Sequence, residues 1–269
     1  MNSKDLNKED VKNFWNNSPC GIRNISGQKD TKEFFETVEK NRYKLEPFLP
    51  QIAQFNKWKG KKCLEIGCGV GTDFIQFLRG GADIYGIDFS EKSISLARKR
   101  LELFGFDKER IKVADAENLP FPENYFDFIY SWGVLHHTTN INKALSEVYR
   151  VLKKDGRNCI MLYHKISLVS LQLYILYGLL RLNPLRNIDD ILSSCLESPG
   201  TKAFTKAELE ILFKNFSDLS IETILTKYDL RFMRDKYKKD WFLPSWISKI
   251  IPNSLGWYLI VKGTKQCVE

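Results

Sequence analysis

CLEIGCGVGTD, residues 63–73, decides the fold. The apolar run KCLEI (62–66) reads as a strand, glycines follow at three alternate positions, and the chain then opens into a helix. Gly67, Gly69 and Gly71 let the backbone turn sharply and approach a ligand without interference from a Cβ. Their spacing is G-x-G-x-G, one residue short of the G-x-G-x-x-G of dinucleotide sites. Glu65 stands two places before the first glycine. A carboxylate there repels a pyrophosphate seated at the helix N-terminus, whereas a ligand carrying an ammonium group and no phosphate tolerates it.

Working outward, strand-like runs alternate with helical patterns, which argues for an α/β fold with a mostly parallel sheet. The runs are DIYGID (83–88), RIKVA (110–114), FDFIYS (126–131) and NCIMLY (158–163), rich in branched and aromatic residues. SEKSISLARKRLELFG is the clearest helix, with Ser90 as cap, Ile94, Ala97, Leu101 and Phe104 on one face, and Gly105 as stop. INKALSEVYRVLKKDG (141–156) has the same design, ending at Gly156. Upstream, Asp30 and Glu33 predict a capped helix that runs to about Pro47, and downstream Thr205 and Glu208 form a capping box. LSIETIL and GWYLIVKG supply two more strands. Asp88 ends the second strand about 20 residues after the glycines, where a carboxylate binds both hydroxyls of a ribose.

The totals exclude several classes. With 43% hydrophobic and 28% charged residues, the chain is neither disordered nor fibrous. Its net charge of +8 is not organised into a basic stripe, and only RDKYKKD (234–240) is concentrated, so no nucleic-acid partner is expected. The six cysteines, Cys20, Cys63, Cys68, Cys159, Cys195 and Cys267, form no CxxC pair and have no histidine at ligand spacing, so no metal site is expected. Unpaired thiols and a charged N-terminus without an apolar core fit a cytoplasmic location. The longest apolar stretch, ISLVSLQLYILYGLL (166–180), is short of a membrane span.

Taken together, the E-x-G-x-G-x-G loop, Asp88, ADAENLPFPENYFDFIYSWGVLHH and EVYRVLKKDG resemble the class I S-adenosylmethionine-dependent methyltransferases, over residues 62–163. The resemblance implies a Rossmann-like sheet of seven strands with the last antiparallel, and S-adenosyl-L-methionine as cofactor. It places Gly67, Gly69 and Gly71 at the methionine part, with Glu65 organising that end. Asp88 would hold the ribose, Phe89 would pack on the adenine, and Asp115, with Ala116 beside it, would meet the adenine amino group. Ser131 and Trp132 would flank the cofactor. FWNNSPCG (14–21) and NRY (41–43) resemble segments that fold across the cofactor in some members, which nominates Trp15 and Tyr43.

Residues 1–60 are thus read as an N-terminal helical cap, 61–163 as the cofactor-binding core, 164–204 as a helical lid, and 205–269 as the rest of the core with an insertion at 227–255. The reaction expected is methyl transfer to a small-molecule acceptor. Lipid or quinone-like acceptors, small thiols, and a non-catalytic cofactor-binding role are the alternatives. His136, His137 and His164 lie at the ligand edge and are the candidate bases, with reference pKa values near 6.5. The Leu, Ile and Tyr of the lid suit an apolar acceptor or a closed pocket for a small one. DLRFMRDKYKKDWFLPSWISKIIP mixes basic and aromatic residues as interfacial segments do, which leaves a peripheral membrane contact open. The oligomeric state is not legible.

Overall fold

Strands β1 (Lys62–Ile66), β2 (Asp83–Asp88), β3 (Ile111–Val113), β4 (Phe126–Trp132) and β5 (Leu152–Tyr163) lie parallel at the centre of the molecule. The computed structural model describes residues 7–22, 25, 30–234 and 240–266. Beyond β5 come β6 (Phe216–Ile224), a short hairpin of β7 (Arg231–Arg234) and β8 (Asp240–Phe242), and β9 (Tyr258–Lys265). The seven-stranded sheet has the order β3-β2-β1-β4-β5-β9-β6, and β9 runs antiparallel to both neighbours. This is the seven-stranded Rossmann-like sheet with an antiparallel last strand that the resemblance implied. Cys267 and residues 235–239 of the basic run lie outside the described residues.

Helices α1 (Lys8–Asn17), α2 (Lys32–Leu45) and α3 (Leu49–Ala53) precede the sheet. α4 (Phe74–Arg79) and α5 (Glu91–Leu103) cover one face, where Phe74, Phe77, Ile94 and Ala97 are buried with Cys63, Ile84 and Phe128. α6 (Ile141–Val151) and α9 (Lys206–Leu212) cover the other, where Leu145, Val148 and Leu209 meet Leu64, Ile129 and Ile160. Parallel strands are buried on both faces, and their near-continuous apolar runs follow from that. Between β5 and α9 lie α7 (Leu168–Tyr177) and α8 (Ile188–Cys195).

Two boundaries differ from the sequence reading. α6 stops at Val151, five residues before the expected Gly156. Leu152 pairs with Phe126 instead, and pairing resumes at Arg157 opposite Phe128, so the KKDG segment is a bulge within β5, with Asp155 in the left-handed region at φ 60°. Burying Leu152 against the sheet outweighs one more turn of helix. At α2 the cap is Thr31, whose hydroxyl accepts from the Phe34 amide, rather than Asp30.

Gly67 and Gly69 both need positive φ, at 78° and 53°, but for different reasons. A Cβ on Gly67 would drive into the Val134 side chain, while a Cβ on Gly69 would meet nothing within 4 Å. Gly67→Ala is expected to cost roughly 2–4 kcal/mol, from left-handed backbone strain plus overpacking, and Gly69→Ala only about 1–2 kcal/mol from the backbone. Urea unfolding of the two variants checks the difference.

Candidate active site

The carboxyl ends of β1, β2 and β4 converge where the order of the sheet turns, which is where ligands bind in open α/β sheets. Glu65, on β1, is 4% exposed, and its Oε2 has no hydrogen-bond partner. Burial pushes its carboxyl well above the ordinary range, Asp73 adds to this, and the Arg42 guanidinium opposes it. A buried acceptor without a donor is costly, so this atom calls for a cationic or N–H partner from a ligand.

Asp73 closes the glycine loop and is fully engaged: Arg42 donates at 2.9 Å, Tyr43 OH at 3.0 Å and Tyr130 OH at 3.1 Å. Arg42 reaches Glu46 as well, at 3.0 Å, and Glu46 also accepts from Trp132 Nε1 at 2.9 Å and Tyr258 OH at 2.8 Å. Asp73 and Glu46 thus share one guanidinium, Glu65 is ion-paired with none among the described residues, and the region around the loop is electronegative. Sequence reading missed Arg42, Glu46 and Asp73, although the i,i+4 spacing of Arg42 and Glu46 on a helix is a pairing signal.

Asp88 ends β2 with both oxygens fixed: Oδ2 accepts from the Gly69 amide at 2.9 Å and Oδ1 from the Ser90 amide at 2.8 Å. Burial raises its pKa, and those amides oppose the shift. The Phe89 amide also donates to this carboxylate, and of its roughly four lone-pair positions one is left for a hydroxyl donor. Phe89 follows, half-buried. Asp115 accepts from the Glu117 amide at 2.8 Å and is ion-paired with Lys8 of α1, which reaches Glu117 at 2.7 Å too; Ala116 between them is buried. Asn16 of α1 accepts from the Ser90 hydroxyl at 2.8 Å, so α1 is pinned to this edge at two points. Its Trp15 ring lies edge-on to His137, with centroids 5.0 Å apart.

Ser131 and Trp132 lie at the end of β4, but their polar atoms serve the protein: the Ser131 hydroxyl donates to Ile66 O at 3.1 Å, and the Trp132 indole donates to Glu46. Tyr43 is likewise spent on Asp73. The three histidines have separate environments. His136 is fully buried against the Tyr163 ring, with centroids 3.9 Å apart, and neither of its ring nitrogens has a partner. His137 Nδ1 lies 2.7 Å from the Ser198 hydroxyl and 3.0 Å from that of Thr201. His164 Nδ1 donates to Gly256 O at 3.0 Å, at the joint between β5 and the approach to β9. Burial lowers all three, His136 well below its ordinary value and His137 to about 3.

Two open cavities lie away from this constellation. One of about 610 Å³ is bordered by Gln54, Phe55, Gln76 and Arg79, and one of about 280 Å³ by Trp58, Asp127 and Arg157. Neither touches the glycine loop, so the site is assigned on its chemistry. No group of three or more His, Cys, Asp or Glu suited to a metal occurs among the described residues.

Residues 64–160 match the family description of a methyltransferase domain. That stretch is a class I S-adenosylmethionine-dependent methyltransferase domain. Its cofactor is S-adenosylmethionine. Relatives of the chain include the sterol 24-C-methyltransferase of Pneumocystis carinii, 29% identical over 53% of this chain and 46% of that one. Another is a ubiquinone/menaquinone biosynthesis C-methyltransferase of Paraburkholderia phytofirmans, 36% identical over 43% and 48%. The chain spans about half, or less, of the length of the curated relatives it matches first. Among solved structures, magnesium protoporphyrin IX methyltransferase of Synechocystis PCC 6803, with S-adenosylhomocysteine bound, aligns over 97% of this chain and 100% of that one, with a TM-score of 0.60 at 16% identity. A possible histamine N-methyltransferase from Thermotoga maritima aligns over 95% and 100%, with a TM-score of 0.56 at 18% identity. At such identities these structures establish the fold of the methyltransferase domain and its surroundings, and nothing about the acceptor.

Two predictions follow from the buried charges. Arg42→Met leaves Asp73 and Glu46 without their shared cation and is expected to destabilise the protein by about 3 kcal/mol, measured by urea denaturation at pH 7. His136 and His137 are neutral when folded, so the unfolded chain binds more protons below its own histidine pKa of about 6.5. The histidine contribution to stability is therefore expected to be complete above pH 6.5 and to be lost as the pH drops toward about 3, the value for His137, while the raised carboxyls of Glu65 and Asp88 act in the opposite sense. The urea midpoints of the wild type and of His137→Gln, followed against pH, check the sign: the wild type should lose stability relative to the variant as the pH falls below 6.5.

Proposed function

We propose that the chain transfers the methyl group of S-adenosylmethionine to a small-molecule acceptor and releases S-adenosylhomocysteine. The observation that carries this reading is the buried, unpartnered Glu65 Oε2 beside a glycine loop whose Gly69 leaves open space. An amino-acid ammonium satisfies that oxygen, and a pyrophosphate does not. When bound, S-adenosylmethionine supplies a methyl carbon already activated by a sulfonium.

The chain's residues then have positioning work to do. Glu65 takes the ammonium, Gly67 to Gly71 give the loop its close approach, and Asp88 takes a ribose hydroxyl with its remaining lone pair. Phe89 and Ala116 form the adenine walls, and Asp115 meets the amino group beside Lys8. Trp15 covers the edge from α1. Tyr43, Ser131 and Trp132 shape the site through the bonds that hold them rather than through free polar atoms. Alignment and exclusion of water account for most of the acceleration in such a transfer.

On the acceptor side, His136 is the base we favour. Burial keeps its imidazole neutral, and its nitrogens are unspent, unlike Nδ1 of His137 and of His164. It takes the proton of an O–H or N–H acceptor as the new bond to carbon forms and the carbon–sulfur pair leaves on sulfur. The wall it shares with Tyr163, which stacks on Trp257 at 4.4 Å, is aromatic and favours an acceptor with an apolar body. Relatives named for sterol and quinone methylation agree with that preference.

Labelled S-adenosylmethionine offered with phenols, amines, thiols and quinone precursors is expected to yield S-adenosylhomocysteine with one acceptor class. Asp88→Ala and Glu65→Gln should each weaken cofactor binding by about 10- to 100-fold in calorimetry, the worth of a charged hydrogen bond. His136→Gln should lower kcat while leaving cofactor affinity unchanged. Undiminished binding by Asp88→Ala, or cofactor binding with no turnover of any class, would overturn the reading.

A further inference from the structure

The outer face of α7 is apolar and uncovered. Val169 and Ser170 turn inward, while Leu171, Ile175 and Leu176 are exposed on the other side at helical spacing. The row continues through Leu179 and Leu180 to Leu182 and Leu185, which are 92% and 94% exposed. Gln172 joins α7 to the turn Lys227–Leu230 by donating to Asp229 O, and that turn packs on Ser245–Lys249, where Trp246 and neighbouring Ile250 are 60% and 71% exposed. Two insertions distant in sequence thus meet through the Lys227–Leu230 turn, and each carries exposed apolar residues. Isolated exposed leucines are ordinary on a soluble protein, but seven exposed Leu and Ile within residues 171–185, beside a touching element that exposes Trp246 and Ile250, mark an interaction site.

Cations border it. The Arg181 guanidinium lies 4.9 Å from the Tyr177 ring and Lys227 lies 4.6 Å from that of Phe242; both cations and Lys249 are exposed. Residues 227–255 carry seven Lys and Arg against three Asp. On the neighbouring α8, Asp189 is paired with Lys165, and Asp190 is the other first-turn acid. An exposed apolar run with an exposed tryptophan on a touching element and cations beside both has the chemistry of the bilayer interface: aliphatic tips reach the acyl boundary, Trp sits among headgroups, and Lys and Arg meet anionic phosphates. No helix among the described residues is long and apolar enough to cross a membrane.

We propose that this face docks the protein on an anionic lipid bilayer, with Leu182 and Leu185 as the inserting tips and Trp246 at headgroup depth. The insertion follows β5, whose last residue Tyr163 adjoins His136, so docking brings the acceptor side of the site to the lipid surface. That consequence rests on the methyl-transfer reading; the docking itself does not.

The test is co-sedimentation of the full chain with phosphatidylcholine vesicles, with and without phosphatidylglycerol, at low and high salt, using three variants. Binding is expected to require phosphatidylglycerol, to weaken with salt, and to drop about tenfold or more in Leu182→Asp/Leu185→Asp. Both leucines are solvated, so the melting temperature should hold. The lipid-induced blue shift of tryptophan emission should shrink in Trp246→Phe. Lys57→Glu/Lys59→Glu, at the opposite end of the strands, should bind as the wild type does. Four results would overturn the proposal: no affinity for anionic vesicles, an unchanged leucine variant, equal loss in the Lys57/Lys59 variant, which means general charge attraction, or a dimer in solution that the leucine variant converts to monomer. Cofactor affinity measured without lipid separates failure here from failure of the methyl-transfer reading.

Discussion

Two buried carboxylates share one guanidinium while a third, Glu65, is ion-paired with none among the described residues, and the arrangement of the site depends on that imbalance. Arg42 holds Asp73 and Glu46 directly, while Glu65 is left to whatever cation the loop admits. Burying a charge is tolerable only where partners replace water, and here the partners come from distant elements: α2 supplies Arg42 and Tyr43, β4 supplies Tyr130 and Trp132, and β9 supplies Tyr258. The N-terminal cap is therefore joined to the sheet by polar bonds at its carboxyl edge, in addition to the apolar packing of Phe34, Phe35 and Val38 against Val70 and Leu96. An electronegative centre beneath a loop stripped of side chains repels a phosphate and attracts a cation.

The core of this site was legible in the chain because local rules and tertiary structure agree there. The glycine loop, the strand end at Asp88 and the caps at Ser90 and Thr205 follow from backbone sterics and from side chains bonding amides three residues away. The end of α6 was not legible, since whether Leu152 continues a helix or pairs with Phe126 depends on a strand 26 residues earlier. Arg42 and Glu46 were hidden for a similar reason: on a helix with exposed charges on most turns, only the fold reveals which pair faces inward. The histidines illustrate the same limit. Three looked equivalent at the ligand edge, and only their hydrogen bonds separate them, since Nδ1 of His137 and Nδ1 of His164 are spent on the protein while both nitrogens of His136 are not.

The two interruptions of the α/β rhythm contrast with the core. α7 contains no charged residue, and its apolar residues divide between packing on α8 and outward display, while the 227–255 region displays Phe242, Trp246 and Ile250 among its charges. Composition alone reads such segments as a lid. The exposure of individual leucines gives the same residues a second face.

The bond between Tyr258 and Glu46 spans 212 positions of sequence, and β9, which carries that tyrosine, is inserted between β5 and β6. During synthesis the glycine loop and Asp88 leave the ribosome long before the strand that completes the sheet. Until Tyr258–Lys265 appear, β5 and β6 have no strand between them, and Glu46 lacks one of its three donors. Contacts this remote make for slow closure. A nascent chain therefore displays its glycine loop early but reaches the finished charge arrangement only once β9 has emerged, which ties the electrostatics of that loop to the strand placed last in the sheet.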